Sequence, residues 1–322
     1  MIYEIRQAGA KGLGLFATNP IARGTRILSE RPLLAIRQDQ DVDGIFYAAK
    51  SLTKNDKKAL LDLSGHSGGQ HLELVRWMQV VWWNVKNLVG SVRQPSTITS
   101  SIPSIRSMQE HMAIFNVFRS NSFNLGGRGR IQQAVFDNVA RINHSCLPNA
   151  QGNFHSTLGR FNVHALRDIK SGEEVTLNYL PELGAVAASR GSKLRKGYGF
   201  ECDCVACDLT SARGKLGEER RAEERKRIKE FAATVEKNAE GLVAELKMTE
   251  RFIQLFEAEG ITGREVASMY FEVAKLNVKL GRRDEAIQCA EKGLELDEYC
   301  IGSDHPTYED GVEFIKALKS KN

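Results

Sequence analysis

The sequence predicts an α+β fold in which short strands form two separated blocks, helices lie between them, and the C-terminal third is helix alone. Three observations carry this. Strand-like stretches punctuated by Gly and Pro fill the first 36 residues and recur from Gln151 to Tyr179, helical periodicity occupies residues 45 to 89 and about 105 to 119, and the chain beyond residue 211 reads as helix throughout.

In chain order, LGLFAT leads to a turn at Ala22-Arg23-Gly24 and then to TRILSERPLLAI. KNDKKALLDLSG and HLELVRWMQVVWWNVKNLVG carry apolar residues on one helical face and include all three tryptophans, Trp77, Trp82 and Trp83. A tryptophan stripe at this spacing reads as core or a docking face. SVRQPSTITSSIPS, residues 91–104, is polar, aperiodic and rich in Ser, Thr and Pro, so it reads as a mobile loop. FNVHAL sets Phe161, Val163 and Ala165 against Asn162 and His164, after a hairpin expected at Thr157-Leu158-Gly159, and KSGEE turns the chain into VTLNY. Beyond Cys207, a Ser-Ala-Arg-Gly linker enters charged helix. Leu280-Gly281, Ala286, Ala290 and Leu294 then follow the helix-turn-helix cadence of a tetratricopeptide unit. One such unit cannot bury its own face, so these helices are expected to stack on one another and on the preceding domain.

The 322 residues suffice for one large domain or two, and 42% hydrophobic with 26% charged content is ordinary for a soluble globular chain. No run of 18 apolar residues and no signal-peptide core is present, so a cytoplasmic or nuclear protein without a membrane segment is expected. Residues 1–210 hold 25 Lys and Arg against 17 Asp and Glu, and residues 211–322 hold 20 against 23. The basic residues are scattered, with no aromatic-interleaved stripe, so direct nucleic-acid binding is not expected.

FECDCVAC places Cys202, Cys204 and Cys207 at C-x-C-x-x-C spacing, one ligand short of a tetrahedral structural zinc site. Cys289 and Cys300 fall in a helical pattern and read as packing residues. KGLGLFA lacks the third glycine of a dinucleotide loop and the Gly-Lys-Ser/Thr of a P-loop. NHSCLPN, residues 143–149, could hold a Cys–His nucleophile pair, but strand alternation is taken to argue against pairing Cys146 with His144.

With GEEVTLNY ending at Tyr179, these four segments in this order resemble the SET-domain protein lysine methyltransferases over roughly Met1 to Cys207. The closing cysteines and helical C-terminus look most like the SET-and-MYND branch. The MYND zinc finger is missing, since no cysteine precedes Cys146 and the tryptophan-rich helices stand in its place.

The resemblance implies a SET N-terminal part at 1–40, a helical insertion at 41–120, a SET C-terminal part at 121–182, a zinc-binding post-SET segment at 183–210 and a tetratricopeptide-like helical domain at 211–322. It also implies that Cys146 completes the structural zinc with Cys202, Cys204 and Cys207. Cys289 and Cys300, lying in another domain, leave the same choice.

The cofactor implied is S-adenosylmethionine. Backbone at Lys11, Gly12, Leu13 and Gly14 would wrap its methionine end, Asn143 and His144 would bind its amino group and adenine, with His144 acting through its backbone, and Phe200 would pack on the adenine. Asn121 matches a further cofactor-contacting asparagine, with a helix C-terminal cap as the alternative. Tyr198 and Phe200 would line a lysine channel, with Tyr179 as the catalytic residue at its inner end. The expected partner is a protein or peptide presenting lysine to a monomeric enzyme. An inactive SET-derived scaffold and a methyltransferase for small-molecule amines remain the alternatives.

Overall fold

The computed structural model describes residues 1–37, 43–65, 78, 80–82, 85, 105–126, 131–182, 184–234 and 238–320. The loop at 91–104, Trp77 and Trp83 lie outside the described residues, whereas Trp82 is exposed. The strands described are β1 (Tyr3–Gln7), β2 (Leu13–Ala17), β3 (Arg26–Glu30), β4 (Leu34–Arg37), β5 (Phe123–Asn124), β6 (Ile131–Val135), β7 (Asn143–His144), β8 (Ala150–His155), β9 (Arg160–Ala165) and β10 (Glu174–Leu177). The helices are α1 (Asp43–Lys50), α2 (Lys54–Leu61), α3 (Ile105–Asn121), α4 (Ala187–Tyr198), α5 (Ala212–Thr234), α6 (Ala239–Glu259), α7 (Arg264–Lys279), α8 (Arg283–Ile301) and α9 (Pro306–Ser320).

The chain divides into two compact units. The first comprises Met1–Ser29, Ile142–Lys193 and Glu201–Asn322, the second Glu30–Arg141 and Leu194–Phe200. In the second unit a three-stranded sheet, order β4-β6-β5, and the helices α1, α2 and α3 enclose a core around Phe46, Leu60, Phe115, Phe118 and Val135. Thr53 caps α2 by accepting the Asp56 N–H at 3.1 Å, which satisfies one of the donors that a helix start leaves open.

In the first unit, β1-β2-β10-β7 form a four-stranded sheet. The β10–β7 pairing is parallel, with Thr176 opposite Asn143 and Leu177 opposite His144. A parallel pair needs a long crossover. Here that crossover carries the whole β8–β9 hairpin, whose turn closes on Gly159 at φ +62°, where a side chain would be strained.

Tail helices cover this hairpin. β9 reads as an alternating strand, yet Phe161, Asn162, Val163, His164 and Ala165 are all buried, because α8 packs across β8 and β9. Polar contacts join the two, beside a buried apolar cluster of Leu166, Cys300 and Ile301. Gln151 accepts the Arg264 N–H at 2.7 Å, Asn153 donates to Cys300 O at 3.1 Å, and His155 Nε2 donates to Asp304 O at 2.8 Å. Within the tail, α6 begins at Asn238, whose side chain accepts the Gly241 N–H, and ends at a left-handed Gly260, and Phe256, Val273 and Leu276 are among the buried side chains of its core.

One pH dependence follows from this covering. His164 Nε2 accepts from Arg26 Nε at 3.1 Å, its Nδ1 is buried without a hydrogen bond, and burial, reinforced by the Arg26 charge, pushes its pKa down to about 4. As pH falls from the ordinary 6.5 toward 4, the unfolded chain takes the proton first. Stability is therefore drawn down through that window, by about 3 kcal/mol for a shift of this size. Denaturant melts at pH 7 and pH 4.5 should show His164→Gln losing less stability between the two than wild type, and equal losses would remove His164 as the cause.

Candidate functional site

Four cysteines from two distant stretches meet in the first unit. Cys146 follows β7, Cys202, Cys204 and Cys207 follow α4, and their sulfurs all lie within 4.8 Å of one another. The Cys146–Cys207 and Cys146–Cys202 separations are 3.5 and 3.9 Å. These bracket the ~3.8 Å edge of a tetrahedron whose metal–sulfur bonds are about 2.3 Å, so the donor set fits a zinc ion with no position left for water.

Hydrogen bonding, first to Cys202, pushes the Cys146 thiol up, while Cys207 is drawn down to about 6, first by its bond from Cys146. A metal would displace the proton that Cys146 keeps.

The strand argument against a His144–Cys146 contact is overturned, since Ser145 separates the two and β7 ends at His144, so strand alternation does not hold them on opposite faces. His144 Nε2 lies 3.3 Å from Cys146 Sγ. Because His144 Nδ1 accepts the Tyr179 N–H at 3.0 Å, Nε2 carries the proton and points it at the sulfur. Burial pushes the His144 pKa down to about 4, so the ring is neutral at pH 7. The contact supports a thiolate ligand and builds no nucleophile pair.

Beside this cluster, the β7–β10 pairing aligns the Asn143 side chain. Its Nδ2 donates to Leu13 O at 3.1 Å and to Glu174 Oε1 at 2.7 Å, while its Oδ1 accepts no hydrogen bond from the described residues. Gly14 makes room for the arrangement, since a Cβ there would fall 2.6 Å from Glu174 Oε1 and 3.0 Å from Asn143 Nδ2. The turn of Gly9–Lys11 and Gly12 precedes β2, and Lys11 Nζ reaches Asp203, between two of the cysteines, at 3.0 Å.

Tyr179 lies two residues past the end of β10. Its hydroxyl donates to Ile142 O at 2.6 Å, and its ring centroid is 5.3 Å from that of His144. The hydroxyl is thereby fixed in one orientation next to the Asn143–His144 pair.

The first unit thus gathers Lys11, Gly12, Leu13, Gly14, Asn143, His144, Tyr179 and the four cysteines. Asn121, Tyr198 and Phe200 belong to the second unit. Asn121 commits its Nδ2 to Val117 O at 2.8 Å and Ser64 O at 2.7 Å, the bonding of a helix-end residue. Tyr198 and Phe200 are half-buried with ring centroids 6.3 Å apart, and burial pushes the Tyr198 hydroxyl pKa up. Glu174 and Asp203 escaped the sequence reading. Glu174 stands inside Gly-Glu-Glu and Asp203 between the first two cysteines of C-x-C-x-x-C, but neither spacing says that the carboxylate is used.

A family profile described as "SET domain" matches residues 12–180, just over half of the chain. The chain belongs to the SET-domain family. Histone-lysine N-methyltransferase set5 of Schizosaccharomyces pombe is 24% identical over 99% of this chain and 85% of that protein. Histone-lysine N-methyltransferase SMYD1 of Homo sapiens is 34% identical over 31% of this SET-domain chain and 23% of its own length. N-lysine methyltransferase SMYD2 of Gallus gallus is 40% identical over 24% and 17%. The chain therefore spans less than a quarter of either SMYD protein in these matches. The crystal structure of the SET domain of LSMT bound to lysine and AdoHcy aligns with 99% of this chain and 87% of that one at 14% identity and a TM-score of 0.40. No helix among the described residues is long and apolar enough to cross a membrane.

Proposed function

We propose that this SET-domain chain is an S-adenosylmethionine-dependent methyltransferase whose acceptor is the side-chain amine of lysine in a protein substrate. The observation that carries the reading is the meeting of Tyr179 with Asn143 and His144 across the parallel β7–β10 pair, with Asn143 Oδ1 left open. The acceptor class follows that of the lysine methyltransferases to which the chain is similar. In this reading residues 1–40 and 121–182 are the SET domain, 41–120 its insertion, 183–210 the zinc segment and 211–322 the helical domain.

Bound S-adenosylmethionine would supply a methyl group made electrophilic by its sulfonium. Asn143 Oδ1 would accept from the cofactor's amino group, and the backbone of Lys11 to Gly14 would wrap its methionine end, with glycine allowing close approach. A lysine of ordinary pKa about 10.4 is a poor nucleophile until neutral. The resemblance gives Tyr198 and Phe200 as lining of the lysine channel, and apolar walls there would disfavour the ammonium form and lower that pKa, so no strong base would be needed. Alignment and exclusion of water then supply the rate. The four-thiolate site is structural.

The test is incubation of the protein with methyl-labelled cofactor and separate pools of histones, cell extract and small amines. Label on protein lysine is expected. Label on small amines alone would overturn the acceptor, and no label in any pool would overturn the enzymatic reading. Gly14→Ala should weaken cofactor binding by about 5- to 150-fold, as overpacking of about 1–3 kcal/mol implies. Calorimetry that finds binding unchanged would move the methionine end elsewhere.

A further inference from the structure

Arg190 lies on α4, only 4% exposed, with its guanidinium fork facing the cysteine segment. Nη1 donates to Ala185 O, and Nη2 donates to Ala206 O at 2.8 Å and lies 3.5 Å from Cys207 Sγ. On the other side, Nη1 is 4.0 Å from Glu218 Oε2 on α5. Glu218 accepts the Ala187 N–H on its two oxygens at 2.8 and 2.9 Å and stands 3.7 Å from Arg221 Nη1. Arg221, 3% exposed, donates through Nη2 to Glu259, the last residue of α6. Gly217 permits this approach, because a Cβ there would lie 2.8 Å from Glu259 Oε1 and 3.3 Å from Arg221 Nη1. The result is a line of alternating charge from the thiolates through Arg190, Glu218 and Arg221 to Glu259.

Buried charges are tolerated only while paired, and removing one partner is far more costly than never having had the pair. This line has little slack, since Arg190 Nε and Arg221 Nη1 are buried without hydrogen-bond partners. Four thiolates around one divalent cation carry a net charge of 2−, and Arg190 is the buried cation that touches them. Without metal, no shared centre ties the segment Cys202 to Cys207 to Cys146, and the Arg190 contacts to Cys207 Sγ and Ala206 O rest on a segment held by packing alone.

We infer that Arg190 is a positioning residue for the metal site and that the charge line links metal occupancy to the seating of α5 and α6. This rests on the four cysteines holding zinc, as read above. Partners of this outer kind change metal affinity by about 10–100-fold when removed.

The experiment uses the full chain. Zinc content is measured by metal analysis, zinc release by a colorimetric chelator, and amide hydrogen exchange before and after chelation. Arg190→Met should release zinc about 10–100-fold faster than wild type. Arg190→Lys, which keeps the charge and loses the fork, should lie between the two, a rescue that a purely packing role would not produce. Chelation of wild type should speed exchange in α5 and α6 while α8 and α9 keep their protection. Equal release from wild type and Arg190→Met overturns the positioning role. Unchanged exchange in α5 and α6 after chelation overturns the link, and it decides the matter on wild type alone where Arg190→Met does not fold. Wild type that neither contains nor takes up zinc overturns the zinc site itself, and metal analysis separates that failure from the other two.

Discussion

Tyr179→Phe should fold normally, bind cofactor within a few-fold of wild type and lose turnover by roughly 100-fold or more, the scale of removing one preorganised transition-state contact. The fold should survive because phenylalanine fills the same volume, and the backbone bond from Tyr179 N to His144 Nδ1 does not involve the side chain. What disappears is the hydroxyl. Its proton is committed to Ile142 O at 2.6 Å, so the oxygen is held in one orientation before any substrate arrives, and its lone pairs can orient the amine or contact the transferring methyl. A loose hydroxyl would have to be ordered during the reaction. Cofactor affinity by calorimetry and turnover by methyl incorporation are to be measured side by side. Near-normal turnover would sink the assignment of Tyr179, and a loss of cofactor affinity equal to the loss of rate would make the residue part of the binding site instead.

Cys146→Ser should empty the metal site and destabilise the first unit. If four ligands share roughly 10–16 kcal/mol of metal-linked folding energy, losing one removes about 3 kcal/mol or more. Serine leaves an alkoxide precursor that stays protonated where a thiolate is required, and it also withdraws the sulfur that His144 Nε2 approaches. The remaining thiols sit on a single short stretch after α4, so the variant loses the tie between that stretch and β7. Cys289→Ser is the control, since Cys289 packs among the tail helices away from the cluster and should leave zinc content unchanged. Metal analysis and thermal melts of both variants decide the matter, and full zinc occupancy in Cys146→Ser would move the fourth ligand elsewhere.

By itself the sequence determined whatever depends on short-range pattern. Turn residues marked the hairpin at Gly159 and the turn before β10, periodicity separated the helical tail from the strands, and the C-x-C-x-x-C spacing set three cysteines one short of a tetrahedral donor set. The order of the motifs was enough to carry the family. Only the tertiary structure decided which atoms of those motifs remain open and what holds them. Asn121 spends its amide nitrogen on its own helix and on Ser64, His144 turns a neutral ring toward Cys146, and Asn143 is steadied by Glu174. The tail buries the polar face of β9, and Arg190 reaches Cys207 Sγ on one side and Glu218 on the other. The physical reason is range. A turn or a ligand spacing is written within a few neighbouring residues, whereas a buried polar atom takes whichever partner packing brings within 3 Å, and those partners stand from a few to more than a hundred residues away in a chain that gives no local sign of them.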